Sequence, residues 1–203
     1  PGSFGLPTHV QDGRLQEDTE SNAWSQSARA RWVAEDAIDR FTDAAAPEDS
    51  LFAVVRLWAG YANRLLGENF CNAVIDGGPE EPRTVFFTRA EGHFTEANRI
   101  AAAAGKTNVA LAALAGRASV RADLATFNNN NAATWASAAA DAAQVTSNTF
   151  RWQLPMSSQD QNQYNGVYWA QAGTPYKAHT QWATYFDLYN RTTPADTRIS
   201  WLL

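Results

Sequence analysis

Between Ser21 and Val145 the chain keeps a helical hydrophobic period and places its smallest residues inside that period. Gly60 interrupts the apolar run LFAVVRLWAGYA, and Gly116 sits in the middle of LAALAGRASV. Between them, Ala90-x3-Phe94-x2-Ala97 runs small, large, small along one helix face. A mid-helix glycine costs about 1 kcal/mol against alanine. Its presence implies that a neighbouring helix comes close, with a bulky side chain filling what remains. Nested helical hairpins meet that requirement.

The same periodicity divides the chain. Ser21 is a suitable N-cap for a first helix over 21–45, with Trp24, Ala28, Trp32, Ile38 and Phe41 on one face and Arg31, Glu35 and Asp36 among the polar remainder. A second helix spans 48–66, closed by Gly67 at the position of a C′ glycine. A loop over 68–83 carries Gly-Gly and two prolines. A third helix covers 84–104; the capping-box pattern Thr88-Arg-Ala-Glu91 also allows a start near residue 89. A fourth covers 108–125, and an alanine-rich fifth, 132–145, has Trp135 as its large anchor. The expected fold is mainly α, about five helices in antiparallel hairpins. An extended lead-in, 1–20, precedes this helical core, 21–145. A loop-rich, irregular and aromatic segment, 146–203, packs on it, with FRWQL as a short strand and 179–190 as a short helix or strand.

Composition narrows the function. Of 203 residues, 45% are hydrophobic and 18% charged, with a net charge of −5. Lys106 and Lys177 are the only lysines and no basic cluster is visible, which argues against nucleic acid as a partner. A single cysteine allows neither an internal disulfide nor a cysteine-based zinc site. No apolar run approaches the roughly 20 residues of a membrane helix. The chain opens PGSFG without a methionine, as expected of a processed form or a part of a longer protein.

The usual catalytic patterns are missing, so no catalytic residue, metal ligand or cofactor is assigned. AAAAGKT lacks the first glycine of a phosphate loop and follows a helix, so Gly105 is expected to cap that helix. His9, His93 and His179 lie far apart, with His93 expected at a helix–helix contact. The carboxylates Asp76, Glu80, Glu81, Asp160 and Asp187 form no recognisable pair. Asp76-Gly-Gly reads as a turn, with a calcium ligand as the alternative.

Several segments in order, LWAGYANRLLGENFCNAVIDGGP, TRAEGHFTEANRIAAAAG, ALAGRASVRADL and WASAAADAAQV, resemble the SusD/RagB family. The Ala90–Phe94–Ala97 spacing is also similar to that of a tetratricopeptide (TPR) second helix. The resemblance covers about residues 21–200. It implies TPR-type hairpins in an outer-membrane lipoprotein of Gram-negative bacteria, held at the periplasmic or cell-surface side through an N-terminal lipid anchor. It also implies glycan or nutrient capture for a TonB-dependent barrel. In that scaffold Asn63 and Arg64 would bond carbonyls of the 68–78 loop, and Cys71 would pack as a small hydrophobe, the alternative being a reactive or metal-binding thiol. Family members are commonly more than twice this length, which raises a second expectation: an accessory scaffold subunit of a larger membrane complex.

The aromatic segment is the expected binding region. Trp152, Tyr164, Tyr168, Trp169, Trp182 and Tyr185 are interleaved with amides and hydroxyls. Indole and phenol faces suit the C–H faces of sugars or a protein partner. The same rings suit the job of pinning loops to the helical core.

Overall fold

The computed structural model describes residues 17–44, 49–147, 149–157 and 159. The chain divides into two compact units, Pro1–Trp152 and Gln153–Leu203. In the second, the described residues Gln153–Ser157 and Gln159 form neither helix nor strand. The remainder of the expected aromatic site, Tyr164, Tyr168, Trp169, Trp182 and Tyr185, lies outside the described residues, as do Asp160, Asp187 and the 179–190 element.

The first unit is mainly helical. Its elements are α1 (Glu17–Asp43), α2 (Ser50–Asn69), β1 (Asn72–Val74), β2 (Glu80–Pro82), α3 (Thr84–Ala103), α4 (Thr107–Phe127) and α5 (Ala132–Gln144). Each helix packs on the next, α2 and α3 being joined through the β1–β2 hairpin, and neighbours run antiparallel. The contacts agree: Phe41 near the end of α1 stacks on Phe52 at the start of α2, 5.3 Å between centroids, while Trp24 meets Phe70 just beyond the end of α2 at 5.0 Å.

Local chemistry sets the boundaries. The Asp49 carboxylate caps α2, accepting from Leu51 N at 2.7 Å. Helix α3 starts at Thr84, and Thr88 bonds back to the Thr84 carbonyl at 3.0 Å inside the helix instead of capping it. It ends in a Schellman motif: Gly105, at φ +67°, donates to Ala102 O and Lys106 to Ala101 O at 2.8 Å. Thus AAAAGKT is a helix terminus. Asn129 and Asn130 take left-handed φ of 52° and 55°, and Asn131 caps α5 through Thr134 N.

Four expectations need correction. Helix α1 begins at Glu17, so the last residues of the expected lead-in are helical. Gly67 does not end α2; it lies buried within it, because a Cβ there would come 2.8 Å from the Phe87 ring. FRWQL is not a strand; Phe150 and Trp152 pack on the helical core, with Trp152 6.2 Å from Trp58. Trp135 is exposed, and Ala138 and Asp141 are the buried residues of α5.

The helix stack centres on Phe94. Its ring is fully buried, and a Cβ placed on either Gly60 of α2 or Gly116 of α4 would lie 2.6 Å from it. The ring therefore occupies the gap that both glycines leave, joining α2, α3 and α4 at one point. Ala90, Ala97, Ala112 and Ala113 close the surroundings, and Tyr61 meets the ring edge-on at 5.1 Å. Gly116→Ala is expected to destabilise by about 1–3 kcal/mol through overpacking. The same change in a Phe94→Leu background is expected to cost clearly less, because the clash is gone. A double-mutant cycle by chemical denaturation checks this; additive costs would contradict the arrangement.

Candidate functional site

Helix α1 meets the core through Trp24, Ile38 and Phe41, as its hydrophobic pattern suggests, but not through Trp32. Trp32, expected inside, is 54% exposed, whereas Arg31 is only 4% exposed. Arg31 and Glu35 face inward on this side of the helix, beside Ala34 and Ile38. What draws them in is a polar cluster shared by four elements.

Glu35 is its centre. One carboxylate oxygen accepts from Asn63 Nδ2 of α2 at 2.9 Å and faces His93 Nε2 of α3 at 3.4 Å. The other accepts from Arg89 Nη2 of α3 at 2.7 Å and pairs with Arg31 one turn earlier on α1. Arg31 also pairs with Asp76 on the hairpin turn. Burial raises the Glu35 carboxyl, but hydrogen bonds from His93, Asn63 and Arg89 outweigh it and hold the group well below the usual carboxylate range. His93 Nδ1 lies 3.3 Å from Arg56 Nη1. A guanidinium only donates, so Nδ1 carries the lone pair and Nε2 the proton that faces Glu35.

Asp76 reaches this cluster because of its backbone. Strands β1 and β2 pair antiparallel, Ala73 opposite Glu81. Between them Asp76 and Gly77 take φ of 52° and 76°, and Gly78 N donates to Ile75 O at 2.9 Å. Positive φ at both central residues is the signature that Asp-Gly supplies in a type I′ turn. The turn expectation for Asp76-Gly-Gly therefore holds. Among the described residues no three His, Cys, Asp or Glu side chains are grouped to hold a metal.

The expectation for the α2 end needs correction. Asn63 is fully buried and bonds Glu35 and its own helix carbonyl at Ala59, not the 68–78 loop. Arg64 pairs with Glu68 within α2 at 2.6 Å. Cys71 is exposed rather than packed, with Arg83 Nη2 2.8 Å from its sulfur. Asn63, near the end of this core helix, thus links α2 to α1.

A second cluster joins the other end of the stack. Asp141 of α5, 3% exposed, receives a two-point bond from Arg117 at 2.7 Å and a third from Arg121 at 2.8 Å, both from α4. Arg121 continues to Glu91 of α3 at 2.7 Å. The bond to Asp141 holds the Arg117 guanidinium above its ordinary range, against the effect of burial. The sequence reading missed both clusters. Their signal is charged residues at helical spacing on faces next to alanines: Arg31 and Glu35 on α1, Arg117 and Arg121 on α4.

Two grooves flank Trp32. One, about 460 Å³, is bordered by Glu35, Asp39, Arg56, Arg89 and His93; the other, about 350 Å³, by Trp24, Arg29, Leu66 and Phe86. Trp152, the one described member of the expected aromatic site, is half-buried against the core beside Trp58, so its ring serves there as an anchor.

Two outcomes test the clusters. Asp141→Asn is expected to destabilise by about 3 kcal/mol, because Arg117 loses its anion and Arg121 is left with Glu91 alone; chemical denaturation measures it. Glu35 is ionised more readily in the folded than in the unfolded chain. Its stabilisation is complete above the ordinary carboxylate value of 4.5 and is lost as pH falls below it. The stability difference between the native chain and Glu35→Gln should therefore shrink on titration from pH 6 into that acidic window; an unchanged difference would contradict the assignment.

No protein-family model, curated protein or solved structure matches the chain.

Proposed function

We propose that this chain is a non-enzymatic, extracytoplasmic binding protein resembling the SusD-like lipoproteins, which captures a glycan or another nutrient for a TonB-dependent outer-membrane transporter. The supporting observation is the stack of antiparallel hairpins closed by Phe94 between Gly60 and Gly116, the scaffold that the sequence resemblance implies. The buried charges are consistent with a binding role, because Glu35, Arg31, Asp141 and Arg117 are engaged with one another in holding helices together. Among the described residues no helix is long and apolar enough to cross a membrane. In this reading the chain sits at the periplasmic or cell-surface side, and attachment comes from an N-terminal lipid anchor and from the partner barrel.

A second reading has its own observation. Val33, 51% exposed, lines an apolar trough on the outside of α1 and α2 with Ala30, Ala37, Val55 and Trp58. Such a surface suits a fixed protein neighbour, as in an accessory scaffold subunit of a larger membrane complex. Gentle purification from native membranes separates the two. A TonB-dependent barrel recovered in stoichiometric amount is the expected result for capture. A different membrane complex in fixed ratio would replace it with the scaffold reading.

A further inference from the structure

The indole of Trp32 is the unusual feature of the helical core. It is 54% exposed and borders both the 460 Å³ and the 350 Å³ groove. Among the described residues no other ring stacks on it. An exposed tryptophan face beside a concave polar surface is chemistry suited to a ligand with both an apolar face and many polar groups.

The charge of the lining narrows that ligand. Arg31 and Arg89 answer Glu35 and Asp76, Arg40 answers Asp36 at 2.7 Å, and Arg56 lies in the fields of Glu96 and Asp39. The lining itself carries four carboxylates, Glu35, Asp36, Asp39 and Asp76, against the two guanidiniums of Arg56 and Arg89, so the groove does not concentrate an anionic ligand. It offers instead closely spaced donors and acceptors. Asp39 is exposed at its edge, Thr42 adds a hydroxyl, and His93 and Arg89 are held in place by Glu35. A neutral sugar ring meets these conditions. Its C–H face packs on an indole, and its hydroxyls both donate to carboxylates and accept from guanidinium N–H groups. The ion-pair network keeps the groove's walls in place before a ligand arrives, which lowers the ordering cost of binding.

We propose that Trp32 and the groove between α1 and α3 form a carbohydrate subsite on the helical core, specific for neutral sugars, with Trp32 as the stacking platform and Asp39 as an acceptor for sugar hydroxyls. The subsite rests on the capture reading and locates part of the binding surface outside the aromatic C-terminal segment. Because the indole borders two grooves, an oligosaccharide of several units fits the site better than a single sugar.

Isothermal titration of the full chain with neutral hexasaccharides of glucose, xylose and mannose, alongside an oligogalacturonide as the anionic comparator, tests this. The expected result is binding of at least one neutral oligosaccharide, weakened about tenfold or more by Trp32→Ala. Asp39→Asn, which keeps the shape of the groove, should also weaken it. Trp135→Ala, at an exposed tryptophan on α5 away from both grooves, should leave it unchanged. Circular dichroism confirms that each variant is folded; both tryptophans are exposed, so little core packing is lost. Neutral-sugar binding that is indifferent to Trp32→Ala overturns the subsite and leaves the capture reading standing. Preference for the anionic comparator overturns the neutral specificity. Absence of binding to every oligosaccharide overturns the subsite and counts against glycan capture as well.

Discussion

Phe94 fills the space that Gly60 and Gly116 leave open, and the helical stack depends on that contact. An aromatic ring cannot enter a helix–helix interface of ordinary width without pushing the backbones apart. With a glycine on each side, α2 and α4 both close onto α3, and a Cβ at either position would stand 2.6 Å from the ring. Phe87 against Gly67 repeats the arrangement nearer the end of α2. Two buried rings thus set the spacing of three helices, and the alanines on α3 and α4 follow from the closeness this spacing demands.

Close packing of alanine and glycine buries little apolar area per residue. Directional polar contacts supplement it. Glu35 binds α1 to α2 and α3, and through Arg31 to the turn that carries Asp76. Asp141 binds α5 to α4, and Arg121 carries the connection on to α3. Each carboxylate is satisfied by several donors, the condition under which an interior charge is tolerated. These contacts specify rotation as well as proximity. A helix of small residues would slide or turn on its neighbour with little penalty, whereas moving Glu35 would break bonds to three residues on two other helices. The inward place that Arg31 takes on α1 leaves its neighbour Trp32 facing outward, where it borders the two grooves.

Much of the fold was legible in the sequence. Periodicity placed the five helices of the described residues to within a few residues, and the Schellman terminus at Gly105 followed from its position after an apolar helical run. Gly60, Phe94 and Gly116 were recognisable because glycine in a helix interior needs a packing reason. The errors at Arg31, Trp32, Asn63 and Trp135 share one cause. Trp32 was placed inside and Arg31 outside because hydropathy ranks side chains by their own chemistry, while burial depends on partners. Asn63 and Glu35 are adjacent only after α1 and α2 have docked, and the 28-residue separation between them carries no periodic signal. Trp135 was taken as the anchor of α5 for its size; Asp141 took that role because Arg117 and Arg121 stand opposite it.

Helix positions, turn chemistry and the glycine–phenylalanine close packing are local or short-range matters, decided by backbone sterics and side-chain size, and the amino-acid sequence alone determined them. The tertiary structure decided which charged groups would be interior and which tryptophan would face solvent. A charge enters a core only where oppositely charged or hydrogen-bonding partners from several elements converge on it. That convergence exists only after the helices have packed.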